Sequence, residues 1–92
     1  MQPINILRQH ITELKAKYPI AKLGIFGSYS RGEQTPQSDV DIIVQFTEPV
    51  GMTFIDLSFE LENLLQIKVD LVSQNGLKPR YFQAIQEDIV YV

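Results

Sequence analysis

The chain has 92 residues, with 11 acidic against 8 basic side chains, a formal charge of −3 and no cysteine. That length makes one domain, residues 1–92, which buries about two thirds of its unfolded surface. The lysines and arginines are scattered, which argues against a dedicated nucleic-acid surface, since affinity there comes largely from neutralising phosphates. Without cysteine there is no disulfide framework, thiol nucleophile or cysteine zinc site. No apolar run suggests a membrane span and the N-terminus has no signal-peptide pattern, so the chain is expected in the cytoplasm.

Ile4, Leu7, Ile11 and Leu14 recur at helical spacing over about 3–17, with Pro3 suited to a first turn and Pro19 ending the helix. His10, the only histidine, lies beside this stripe and is given no role. Residues 21–26 and 40–46 predict strands separated by a glycine turn and a polar loop. Phe54, Leu57, Leu61 and Leu64 then predict a second long helix over 53–66, with Glu60 and Glu62 on its solvated face. A third strand is predicted over 67–72. A last helix over about 77–87 points Tyr81, Phe82 and Ile85 inward, and residues 89–92 close the chain as a short strand. Alternating helices and strands give an α/β (α+β) fold, a small mixed sheet with helices packed on one face and an acidic site on the other.

Chemistry is concentrated around Gly27-Ser28 and Asp39-Val40-Asp41. Gly27 permits a backbone conformation that brings the chain close to a ligand, and Ser28 is placed to cap a short helical turn whose free amides suit a phosphate. On a strand, Asp39 and Asp41 share a face while Val40 and Ile42 go to the other. Two carboxylates so placed repel unless a cation lies between them, and hard oxygen ligands of that kind suit Mg²⁺. Arg31 is the one cation close to this turn; its two readings are a phosphate contact and a tie to Glu33 or Asp39 that fixes the loop. Asp70 stands among apolar residues, where an acid needs a partner: either Lys68 on the same face, or the metal site as a third carboxylate.

Gly27-Ser28, ten residues, then Asp39-Val40-Asp41 resembles the signature of the DNA polymerase β-like nucleotidyltransferase superfamily. The short chain, with Arg31-Gly32 and Ser38-Asp39, looks like its minimal nucleotidyltransferase (MNT) branch. The resemblance implies the polymerase β-like fold and transfer of a nucleoside monophosphate, AMP from ATP, to a hydroxyl. It implies two Mg²⁺ ions held by Asp39, Asp41 and Asp70, with Asp70 as the base nearest the acceptor. Gly27 and Ser28 would hold the triphosphate. MNT proteins pair as antitoxins with HEPN-type toxins, so the implied acceptor is a tyrosine of such a partner. A binding antitoxin that neutralises by contact, without turnover, is the alternative from another class. A transferase acting on a small molecule ranks below both.

Overall fold

Buried apolar residues at alternate positions of residues 40–46 select one face of the sheet for the core. In the computed structural model, which describes residues 2–92, the chain runs α1 (Pro3–Lys17), β1 (Ile20–Phe26), α2 (Ser28–Arg31), β2 (Val40–Phe46), α3 (Thr53–Leu65), β3 (Val69–Ser73), α4 (Pro79–Ile85) and β4 (Val90–Tyr91). Short 3₁₀ turns at Gln74–Gly76 and Gln86–Asp88 flank α4. The strands form one mixed sheet in the order β3-β2-β1-β4. β1 is antiparallel to β2 and to β4, whereas β2 and β3, joined through α3, are parallel, as a helical crossover allows.

Val40, Ile42, Val44 and Phe46 of β2 meet Leu23 and Ile25 of β1, Leu7 and Leu14 of α1, and Leu57, Leu61 and Leu65 of α3 in one buried cluster. The three α3 leucines, each four residues from the next, form a stripe along one side of the helix. The two long helices therefore cover the same sheet face. Side-chain alternation sends Phe26, Asp41 and Asp70 to the opposite face.

Glu60 and Glu62 are not simply solvated. Tyr18 Oη donates to Glu60 Oε1 at 2.8 Å and Lys17 Nζ to Glu60 Oε2 at 3.0 Å, clamping the end of α1 to α3. Burial, and then the bond to Glu60, push the Tyr18 hydroxyl up to about 12. Burial acts to raise the Glu60 carboxyl, but Lys17 and Tyr18 more than offset this and leave it below its ordinary value. The Val69 N–H donates to Glu62 Oε2 at 2.9 Å, tying the start of β3 to the helix before it. Both acids flank the leucine stripe, so they lie at its seams rather than facing bulk water.

The last helix is shorter than its pattern suggests, and Tyr81 on it is 54% exposed rather than inward. None of its residues is buried. The helix-facing side of the sheet is already closed by α1 and α3, and α4 lies instead beside the acid-bearing face, where charge interrupts the apolar surface.

These contacts rank two substitutions. Leu61 is fully buried, and Leu61→Ala should cost about 2–5 kcal/mol, whereas Glu60→Ala, which removes two partly exposed hydrogen bonds, should cost about 1 kcal/mol. Urea denaturation of both variants checks the order.

Candidate active site

β1 delivers Gly27 to the site immediately after Phe26, and the turn there is built from its own backbone. Gly27 has φ 76° and ψ −151°, outside the range that other residues readily adopt. It is the residue that begins α2: its carbonyl accepts from the Ser30 N–H at 3.1 Å, the Arg31 N–H at 3.2 Å and Ser30 Oγ at 2.9 Å. Ser28 is thus the first helical residue and not the cap, because the cap conformation requires the glycine. Gly32 ends the turn in the left-handed region at φ 71°.

Space imposes a second constraint on Gly27. A Cβ placed there would clash with Asp41 Oδ2. The Asp41 carboxylate therefore rests against the bare Cα of Gly27, which brings the glycine turn and the acid into contact. Gly-Ser and Asp-x-Asp meet at this point.

The carboxylates come together through strand register. In the parallel pair, Asp41 stands directly opposite Asp70, and in the antiparallel pair Asp41 stands opposite Phe26. Val40 and Ile42 are buried on either side of Asp41, as are Val69 and Leu71 around Asp70, so packing on the far face fixes both acids. Asp39 lies just before β2, exposed, beyond a turn in which the Thr35 N–H donates to Ser38 Oγ at 2.8 Å. Burial pushes the Asp41 carboxyl above its ordinary value, and the charges of Asp70 and Asp39 push it further, with Arg31 opposing in part. Two of the acids therefore act on the third, the half-buried Asp41. None of the salt bridges among the described residues involves Asp39, Asp41 or Asp70, Lys68 included.

This donor set fits a hard divalent cation, which would relieve the repulsion focused on Asp41. The acids are not gathered tightly about a single point: no group of three His, Cys, Asp or Glu side chains among the described residues is already arranged as a metal cage. That suits Mg²⁺, which takes one or two carboxylates and fills its remaining positions with water and substrate phosphates.

Arg31 is held by its own turn and by a distant segment. Its Nε donates to Glu33 Oε1 at 2.7 Å and its Nη1 to Asp88 Oδ2 at 3.1 Å. Glu33 was one of the partners its position suggested; Asp88, which follows α4, was not. A further feature escaped the sequence pattern: a cleft of about 260 Å³ beside Asp41 and Asp70, walled by Phe26, Val72, Leu77, Tyr81 and Ile85. The four-residue spacing of Tyr81 and Ile85 marked a helix face, but not which surface it would meet.

Comparisons with known proteins agree with this geometry. The family model described as nucleotidyltransferase domain matches residues 7–92. The protein adenylyltransferase MntA of Thermococcus cleftensis is 43% identical over 89 residues, covering 96% of this chain and 90% of its own length. A solved structure of a candidate minimal nucleotidyltransferase superposes with a TM-score of 0.83 at 31% identity, covering 98% of this chain and 95% of the other. A solved complex of the tri-AMPylated Shewanella oneidensis HEPN toxin with MNT antitoxin contains a chain matching with a TM-score of 0.73 at 25% identity, over 99% of this chain and 71% of that one.

Two outcomes follow from the Gly27–Asp41 contact and the crowded charge. Gly27→Ala forces both a strained φ and a clash, so it should lose about 1–3 kcal/mol of stability in urea denaturation. Adding Asp41→Ala should restore part of that loss, because the two residues touch. A carboxyl raised in the folded state contributes stability below its unfolded pKa, and this is lost as pH rises through the folded value. In a chelating buffer, Asp41→Asn should therefore raise the melting temperature at pH 7 and give a smaller gain near pH 4, as thermal scans at the two pH values would show.

Proposed function

The chain is a nucleotidyltransferase, a member of the nucleotidyltransferase domain family, and on that premise we propose that it transfers AMP from ATP to a tyrosine hydroxyl of a partner HEPN-type toxin, acting as that toxin's antitoxin. The observation that carries the chemistry is the Asp41–Asp70 pair in register on parallel strands, with the Asp41 carboxylate against Gly27. The adenylyltransferase relative and the AMPylated toxin in the solved complex support adenylyl transfer to a protein.

In this reading Gly27 and the first amides of α2, which have no intrahelical partner, hold the β- and γ-phosphates, with Ser28 beside them. Arg31 keeps the loop closed through Glu33 and Asp88; only two of its five donors are engaged there, which leaves others for a phosphate oxygen. Asp39, Asp41 and Asp70 would hold two Mg²⁺ ions, which supply positive charge to the triphosphate and to the leaving pyrophosphate. Asp70 lies on the outer strand, on the side from which an acceptor can approach, and takes the proton of the attacking hydroxyl. The acceptor oxygen bonds to the α-phosphorus, the bond from that phosphorus to the bridging oxygen breaks, and pyrophosphate leaves. The cleft beside the acids offers the carbon surface that the ring of a tyrosine needs. No helix of the described residues is long and apolar enough to cross a membrane.

The test is transfer from ATP labelled on the α-phosphate, with Mg²⁺ and the protein encoded beside this one. Label should move to a tyrosine of the partner with the wild-type chain and not with the Asp39→Asn, Asp41→Asn double variant. No transfer, with a tight complex kept by the variant, would replace this reading with that of an antitoxin acting by contact.

A further inference from the structure

The reaction proposed above needs a phenolic hydroxyl near Asp41 and Asp70, and this chain carries one of its own. Of its four tyrosines, three are engaged elsewhere. Tyr18 Oη is bonded to Glu60. Tyr29 packs against the core. Tyr91 is on β4, with Lys22 Nζ 5.6 Å from its ring centre. Tyr81 alone lines the cleft shared by Asp41 and Asp70, and its side chain is more than half exposed.

The support for Tyr81 is light. It is carried by the seven-residue α4, none of whose residues is buried, and the apolar side chains of α4 do not join the main core cluster. Moving this helix by the width of a side chain breaks no close-packed contact of the core, so the cost is that of a surface segment. Phe26, Val72, Leu77 and Ile85 provide carbon surface for the ring, and Asp41 and Asp70 line the same cleft. Arg80 lies 5.9 Å from the centre of the same ring.

We infer that Tyr81 is a self-modification site, adenylylated by the chain that carries it. The inference rests on the nucleotidyl transfer proposed above. Tyr81 Oη bonds to the α-phosphorus of ATP, the bond from that phosphorus to the bridging oxygen breaks, pyrophosphate leaves with the electron pair, and the phenolic proton passes to Asp70. The product is a phosphodiester with one negative charge beside two carboxylates. Like-charge repulsion and the added adenosine then obstruct the cleft, so self-modification limits further transfer until the group is removed.

The experiment uses the full chain alone with α-labelled ATP and Mg²⁺, followed by intact mass measurement and peptide mapping. One adenylyl group should appear on Tyr81, with a rate constant unchanged on dilution. It should be absent from Tyr81→Phe and from the Asp39→Asn, Asp41→Asn double variant. A parallel reaction contains the neighbouring-gene protein. Label on that partner but none on this chain would overturn self-modification and leave partner transfer standing, whereas label on neither would remove both. Label on another tyrosine, or a rate proportional to protein concentration, would overturn an intramolecular reaction at Tyr81.

Discussion

Two acids side by side on neighbouring parallel strands oppose each other, and the rest of the molecule is what keeps them there. Asp41 and Asp70 are direct register partners. Their positions are set by the buried residues before and after each of them, which pack against α1 and α3 on the far side of the sheet. Because side chains alternate strictly, a slip of one residue in either strand would turn its acid into the core. The free energy of apolar burial thus holds an electrostatically unfavourable arrangement in place. The proposed metal-nucleotide would relieve that repulsion.

Gly27 connects this constraint to the rest of the site. Its positive φ starts α2, and its missing side chain admits the Asp41 carboxylate. The same residue therefore serves both the proposed phosphate turn and the acid pair, so neither half can be rearranged alone. Arg31 extends the connection to the other end of the chain through Asp88, joining the turn to the segment that follows α4. The charged site is bounded on that side by a helix that contributes no buried residue, so a lightly held segment stands beside the acids.

Much of this was legible from residue order. The leucine spacing of α1 and α3, the alternation of β2, and the Gly-Ser and Asp-x-Asp pair each carry a local physical signature, and the boundaries of α1 and β2 coincide with it. Asp70 was legible as an acid out of place among apolar neighbours. What could not be read was which distant groups would meet. Glu60 and Glu62 look like solvated positions because their partners, Tyr18, Lys17 and the Val69 N–H, are remote or belong to the backbone. Tyr81 looks inward because helical periodicity states which residues share a face, not what that face lies against. Ser28 looks like a cap by residue type, but the φ of Gly27 assigns that place to the glycine.

The Glu62–Val69 hydrogen bond has a consequence for colloidal behaviour. β3 is an edge strand, and an open edge invites another chain to pair with it. The Val40 N–H donates to the Lys68 carbonyl, so by alternation the Val69 N–H points outward, away from β2. Glu62 occupies that outward donor with a charged side chain. The first free amide of the edge is thus withdrawn from intermolecular pairing, and the remainder of the strand is short. An acidic residue next to the leucine stripe of α3 thereby guards the sheet against growing into an aggregate, while the acid-bearing face beside it stays open to a partner.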